Sequence, residues 1–343
     1  MARHDSWLIN WTQYAAARCT IGLVQCFDVE QNLHTAGVVG SWLYRANRSR
    51  RERTHANIQR SFPEWDDRRV SEVAEESFRH MIRLFMVDAM VGPRLITPDK
   101  WPEYVELGSM KPAIEQLMGG GPAILITGHC GNWELLASLL AVLGYPVHAL
   151  ARPIDNPFIN RWLMGMREAH GTRIVTKWGA MPVVQEIIQK GGRVGFIADQ
   201  NAGDQGLFVP FFGRLASSYK SIALLAMRYE LPVIAGHALR TGRGFEYRLD
   251  ITDVIRPEDW ADQPDPVYYI TARYNLAIEQ MVRAAPEQYL WVHRRWKSRP
   301  RHEREGKPLP DRLRRHIEAL PWLDTTARER IFELANPPYG NPV

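Results

Sequence analysis

The stretch Ala123-Ile124-Leu125-Ile126-Thr127-Gly128-His129-Cys130-Gly131-Asn132-Trp133-Glu134-Leu135 decides how this 343-residue chain is read. The apolar run predicts a buried strand over 123–127, stopped by Gly128. Asn132 is a good helix N-cap, and the leucine-rich residues after it predict a helix over 132–143. His129 then sits in a turn between strand and helix, where open α/β sheets bind ligands. Gly128 and Gly131 permit positive φ and close approach of backbone to a ligand.

The alternation continues downstream. Apolar runs over 147–151, 173–176, 194–198 and 233–238 predict strands, and helices are expected over 157–170, 180–190 and 217–230. Residues 245–251 alternate apolar and polar, as an edge or antiparallel strand does. Upstream, Val70, Val73, Ser77, Met81, Leu84 and Val87 predict an amphipathic helix over 66–91, ended by Gly92-Pro93. The fold class is therefore α/β, a single domain with a mixed, partly parallel central sheet flanked by helices. We divide the chain into N-terminal membrane-surface helices and a basic run (1–60), an α/β domain (61–305) and a Pro-rich tail wrapping the surface (306–343).

Composition narrows the class. A 45% hydrophobic and 24% charged chain is close to the globular average and argues against disorder. Cys19, Cys26 and Cys130 form no C-x-x-C pair, which indicates a reducing compartment and no disulfide framework or zinc site. No run of about 20 clean apolar residues predicts a spanning helix, and no cleaved signal peptide is evident. Residues 6–44 carry Trp7, Leu8, Ile9, Trp11, Tyr14, Leu23, Phe27 and Trp42, interrupted by Asn10, Gln13, Arg18, Gln25 and Asp28. Such segments suit helices lying at a bilayer surface, or an ordinary core-packing helical hairpin.

The net charge of +5, from 43 basic against 38 acidic residues, is local. Arg45, Arg48, Arg50, Arg51 and Arg53 crowd around Glu52 alone. Arg294, Arg295, Lys297, Arg299 and Arg301 have no acid among them and are interleaved with Trp291, His293 and Trp296. The rest of the chain is mildly acidic. Cations beside indoles suit an anionic membrane surface, and equally single-stranded nucleic acid; a solvated helix face is the plainer alternative.

His129 and Glu134 stand five residues apart. A tight turn leading into one helical turn can bring that carboxylate to the imidazole, holding its tautomer and leaving the other nitrogen as general base. Amides at the helix start can hold an oxyanion. Without a G-x-S-x-G elbow, the proton removed belongs to a substrate hydroxyl; Cys130 is the weaker candidate nucleophile. A lone His-x4-Glu also occurs as a surface or core pair. No metal-ligand spacing, Gly-rich phosphate loop or nucleotide fingerprint is present, so no cofactor is expected.

The stretch Gly128 to Glu134 resembles the signature of the bacterial lipid A biosynthesis (late) acyltransferases, related to phosphatidylinositol mannoside acyltransferases and more distantly to glycerolipid acyltransferases. Further motifs follow the family order: the basic run from Arg48 to Asn57 with Phe62-Pro63; Arg152 with Asp155-Asn156-Pro157; Asp199-Gln200; Val209-Pro210-Phe211-Phe212-Gly213; and Trp291 to Pro300. The resemblance implies a glycerolipid-acyltransferase-like domain moving an acyl chain from acyl-acyl-carrier protein or acyl-CoA to a hydroxyl of a glycolipid acceptor, typically a Kdo-bearing lipid A precursor. It implies His129 as base with Glu134 as its partner, and substrate-binding roles for Gly131, Asn132, Arg152, Asn156, Asp199 and Gln200. We expect Arg48, Arg51, Arg294, Arg295 and Lys297 to contact an anionic membrane surface or phosphate, with no nucleic-acid partner. The family's N-terminal hydrophobic anchor is broken here by polar residues, which favours peripheral or monotopic docking at the cytoplasmic face of the inner membrane. Two alternatives stay open: an acyltransferase acting on another glycolipid, and a non-enzymatic basic protein that binds membrane or nucleic acid.

Overall fold

The computed structural model describes residues 7–169, 171–176 and 179–336. The last residue of the expected helix 157–170 and the end of the 306–343 tail lie outside the described residues. The chain lays down β1 (Val105–Leu107), β2 (Ile124–Thr127), β3 (Val147–Ala151), β4 (Arg173–Thr176) and β5 (Arg193–Ile197). A separate antiparallel hairpin comes next, β6 (Leu207–Phe211) and β7 (Arg214–Ser218), and then β8 (Val233–Arg240) and β9 (Tyr247–Ile255). The seven-stranded sheet has the order β1-β9-β8-β2-β5-β3-β4. Its pairings are parallel except β8 with β9, so the sheet is mixed, as expected.

β2 runs between two cores. Because strand side chains alternate, Ile124 and Ile126 face one side, with Val194, Val233 and the helices Lys220–Tyr229 and Pro266–Ala284. Leu125 faces the other, with Val147, Ile234, Ala238 and the helix Trp133–Val142. The connection from β2 passes β5 to reach β3, whereas the chain leaving β5 returns past β2 to reach β8. The carboxyl ends of β2 and β5 therefore flank a topological switch point, where a crevice opens above the sheet.

Several expectations change. The 245–251 strand lies inside the sheet, because the three residues of β1 cover its far side. Residues 214–218 form β7, and the helix expected from 217 starts at Lys220. The helix expected over 66–91 runs Asp67–Arg83, passes through one π-helical turn at Leu84–Asp88 and continues as Ala89–Leu95 with Pro93 inside it. Gly92-Pro93 does not end it, because the π turn resets the hydrogen-bond ladder just ahead of the proline. After residue 300 the chain closes a third apolar cluster, with Leu309, Ile317, Leu320 and Ile331 on Val209, Leu215 and Tyr268.

At the N-terminus come α1 (Trp7–Val24), α2 (Val29–Ala46), α3 (Arg48–Ser61) and α4 (Asp67–Arg83). α2 crosses α4 closely at Gly40, where a Cβ would lie 2.5 Å from the Arg79 Cα. α1 has no buried residue and rests on the helix Pro157–Glu168. Trp7 and Tyr14 meet the Phe158 ring, and Arg18 lies 5.5 Å from the centre of Trp162. Trp7, Leu8, Ile9, Trp11 and Leu23 of α1, Phe27, and Val38 and Trp42 of α2 remain exposed. No described helix is long and apolar enough to cross a membrane.

The basic patches divide between surface and interior. Arg48 is exposed and pairs with Glu52 at 2.7 Å, while Arg51 folds back onto the carbonyls of Tyr44 and Arg45. Arg294 and Lys297 are exposed. Arg295, expected at a membrane, is instead buried, donating to Ser217 O, to Ser218 Oγ at 2.7 Å and to Asn275 Oδ1 at 2.8 Å. A guanidinium can be buried when oxygens satisfy its fork of donors. Trp291 and Trp296 are buried too, which corrects the reading of these indoles as interface or base-stacking rings. Arg295→Leu should therefore cost at least about 2 kcal/mol in urea unfolding, because three buried acceptors lose their donor, while Arg294→Gln should stay within about 0.5 kcal/mol. Equal, small effects would contradict the buried role.

Candidate active site

The register of β2 with β5 pairs Thr127 with Ile197. Two residues past the end of each strand stand His129 and Asp199, and the parallel pairing carries them side by side. His129 Nδ1 lies 2.7 Å from Asp199 Oδ1, and the His129 backbone N–H donates to Asp199 Oδ2 at 2.9 Å. One buried carboxylate thus holds both the ring and the main chain of the histidine. Burial opposes the Asp199 charge, but the His129 imidazole and these hydrogen bonds outweigh it and hold the carboxyl well below the usual carboxylate range. With Nδ1–H donated to Asp199, the lone pair is on Nε2, where the Gln200 side-chain nitrogen approaches to 3.4 Å.

This arrangement corrects the expected His–Glu pairing. Glu134, in the first turn of the helix Trp133–Val142, points to the neighbouring helix Pro157–Glu168 and takes a two-pronged ion pair from Arg167 at 2.8 and 2.5 Å. Both side chains are mostly buried. A helix turn of reach is not enough to bring Glu134 back to the imidazole when a guanidinium fork stands closer and matches it geometrically. Asp199, one strand away, stands at the imidazole where Glu134 was expected.

The turn itself is tightly fixed. Gly131 has φ +61, and a Cβ there would lie 2.2 Å from Ala238 O, so glycine is required for the approach to β8 and not to a ligand. Its N–H donates to Gln288 O at 3.0 Å, and its carbonyl stands 3.1 Å from His80 Nε2. Burial, with Arg240 nearby, pushes the His80 imidazole down to about 3, so it is neutral and donates to that carbonyl. Asn132 is the N-cap expected, accepting from Leu135 N–H at 2.9 Å, and its own N–H donates to Ala238 O. The amides of Gly131 and Asn132, just ahead of the helix start expected to hold an oxyanion, are thus already engaged. Gln288 bonds through its side chain to both N–H and carbonyl of Arg240, whose guanidinium pairs with buried Asp88 at the end of the π turn.

Other expected site residues scatter. Arg152 is exposed, 3.9 Å from Asp155 Oδ1. Asn156 caps the helix Pro157–Glu168 and donates to Asn10 O and Gln13 Oε1 of α1. It joins α1 to the domain and lies apart from the His129–Asp199 pair. Cys130 is fully buried, and burial pushes its thiol up, which removes it as a nucleophile. Phe211 and Phe212 are core residues. Residues that sequence reasoning did not place at the site include Arg167 and Asn57, whose amide donates to Trp291 O at 2.8 Å and His293 O at 3.1 Å. His293, read in the sequence as part of the second basic patch and of the Trp291 to Pro300 motif, stands edge to face with His129 at 4.7 Å between ring centres. No local pattern in the sequence announces these contacts, which join segments far apart in the chain.

Thr127, Trp133 and Glu134, which flank His129 in sequence, also line an apolar cavity of about 110 Å³ that runs back among Leu136, Leu140 and Val147. The His129 ring meets Trp133 of that lining at 5.0 Å between centres. A histidine beside an apolar cavity, with the adjacent thiol buried, fits an enzyme that hands a chain to a hydroxyl, an acyltransferase. The comparisons agree. A family model described as bacterial lipid A biosynthesis acyltransferase matches residues 3–298, and the chain belongs to that family. It is 24% identical over 283 residues to a lipid A biosynthesis acyltransferase of Haemophilus influenzae, covering 80% of this chain and 83% of the relative. It is 28% identical to the lipid A biosynthesis palmitoleoyltransferase of Escherichia coli, with 71% and 78% covered, and 25% identical to the lauroyltransferase of the same organism, with 79% and 85% covered. The protein is thus an acyltransferase, and the non-enzymatic reading falls.

A double-mutant cycle separates the two carboxylates. Glu134→Gln and Arg167→Gln should couple in unfolding free energy by about 0.5–3 kcal/mol, whereas Glu134→Gln and His129→Ala should add within about 0.5 kcal/mol. Strong coupling of Glu134 to His129 would restore the His–Glu pair.

Proposed function

We propose that this protein transfers a fatty acyl chain from an acyl thioester, on acyl-carrier protein or coenzyme A, to a hydroxyl of a lipid A precursor. The observation that carries the reading is the His129–Asp199 pair beside the apolar cavity, whose lining residue Trp133 meets the His129 ring. His129 Nε2 takes the proton of the acceptor hydroxyl as its oxygen attacks the thioester carbonyl, and Asp199 stabilises the imidazolium that forms. The acyl chain lies in the cavity lined by Leu136, Leu140 and Val147. The Glu134–Arg167 pair forms the polar part of that lining and keeps the cavity wall rigid. The acceptor class rests on family membership and on the relatives' names.

The test is mass spectrometry of lipids after incubating pure protein with each thioester donor and a membrane lipid extract. A lipid A precursor should gain one acyl chain, and His129→Ala should lower the rate by at least about 1,000-fold. Near-normal activity of His129→Ala would overturn the mechanism; acylation of a different glycolipid would overturn the acceptor.

We place the protein at the cytoplasmic face of the inner membrane, docked peripherally. The exposed apolar side chains of α1 and α2 support this, with Arg294 and Lys297 as exposed cations for anionic headgroups. Replacing Trp7, Trp11 and Trp42 together with Ser should weaken binding to vesicles containing anionic lipid by at least about tenfold. Arg294→Gln with Lys297→Gln should weaken it about tenfold or more in low salt, at about 1 kcal/mol per cation. Unchanged binding in both variants would count against docking through these surfaces.

A further inference from the structure

Acyl transfer from a thioester passes through a tetrahedral centre whose oxygen carries a negative charge, and that charge needs a hydrogen-bond donor in place. Several main-chain groups near His129 are committed elsewhere: its own N–H to Asp199, Gly131 N–H to Gln288 O, Asn132 N–H to Ala238 O, and Leu135 N–H to the Asn132 cap. A side chain can supply that donor, and the second imidazole at the site has a ring nitrogen open for it. His293 Nε2 is buried and has no hydrogen-bond partner among the described residues. A buried polar nitrogen without a partner is costly, and such groups persist where function uses them.

The segment bearing His293 is anchored on every side. Leu290 N–H donates to His129 O at 3.0 Å, and His293 N–H donates to Leu290 O at 3.1 Å. The Asn57 amide holds the carbonyls of Trp291 and His293 from α3, and the Trp291 indole donates to Pro286 O at 2.7 Å. Two residues on, buried Arg295 ties the segment to β7 and to the helix Pro266–Ala284. The ring is thus presented beside His129 by a rigid support, as a preorganised donor must be. Burial, reinforced by His129, pushes the His293 imidazole down to about 4, so at neutral pH it is uncharged, with one N–H to give and little tendency to take the proton that His129 must remove.

We propose that His293 donates a ring N–H to the carbonyl oxygen of the acyl thioester and stabilises the oxyanion of the tetrahedral intermediate. The inference rests on the reading of His129 as the base of acyl transfer. As the acceptor O–C bond forms, the hydroxyl proton passes to His129 Nε2 and the carbonyl electron pair moves onto the oxygen facing His293. On collapse the C–S bond breaks, the ester carbonyl re-forms and the departing thiolate takes the proton from His129 Nε2. His293 keeps its proton throughout, and Gln200, beside His129 Nε2, helps to orient the acceptor.

The experiment compares His293→Phe, which keeps the ring shape without a donor, with His293→Gln, which restores an N–H, using a purified acyl thioester donor and lipid A precursor. His293→Phe should lower kcat by about 100- to 1,000-fold with both KM values within about threefold, the pattern of a donor acting in the transition state. His293→Gln should recover at least about tenfold of that loss, with unfolding midpoints of both variants near the parent's. A kcat for His293→Phe within about threefold of the parent would overturn the proposal. So would His293→Gln no faster than His293→Phe, or a loss confined to KM. If His293→Phe unfolds, His293→Gln and His293→Asn decide: activity well above that of His293→Ala supports the donor, and equality with it refutes it. His129→Ala run alongside separates the two readings, because an active His129→Ala sinks the base, whereas an inactive one beside a fully active His293→Phe sinks only the oxyanion donor.

Discussion

The site depends on one buried carboxylate that holds a histidine twice, by ring and by main chain. Asp199 without partners would be among the costliest groups in the core, and the imidazole it orients gives it its ion pair. The charge, the tautomer and the turn geometry are therefore one problem with one solution. That solution depends on strand register: a slip of one residue between β2 and β5 would send His129 and Asp199 to opposite faces of the sheet. The glycine at Gly131, the neutral His80 beneath it and the antiparallel bridge from Cys130 to Tyr289 all serve to keep that turn where the register puts it.

The sheet was legible where signals were local. The β2 run, the strands at 147–151 and 173–176, and the Asn132 cap stand where the residues place them, because burial and capping act over a few neighbours. The partner of His129 was misassigned for the opposite reason. Glu134 is near in sequence, and a periodic argument favours it; Asp199 is near only after β5 pairs with β2 in parallel. The pieces were present, since two apolar runs ending in Thr127-Gly128-His129 and Ile197-Ala198-Asp199 have matching lengths beyond the strand. What they lacked was the strand order, which no single segment encodes. The hairpin β6–β7 was hidden likewise, its Pro210 weakening the strand signal that pairing restores.

Charge was the least transferable reading. A count of arginines treats Arg294 and Arg295 alike, yet one is exposed and the other is saturated by oxygens in the interior. Arg240 is likewise spent inside, on Asp88 and Tyr247. The second basic cluster is thus split: Arg295 and Arg299 brace the segment beside the His129 turn, while Arg294, Lys297 and Arg301 stay exposed. Clustering in sequence says that such residues share a neighbourhood and not that they share an environment.

The attachment of α1 has a geometric consequence. Asn156 begins the helix Pro157–Glu168 and hooks α1 through Asn10 and Gln13; Arg167, near the end of the same helix, grips Glu134 beside His129. A single rod of 12 residues, about 18 Å long, therefore joins the exposed apolar surface of α1 to the wall of the cavity. Docked on a lipid plane through α1, as we propose, the molecule would hold the opening beside His129 at a fixed bearing and height relative to that plane. A lipid substrate would then diffuse in two dimensions with its headgroup already facing a stationary target, so that much of the orientational search would be completed before encounter.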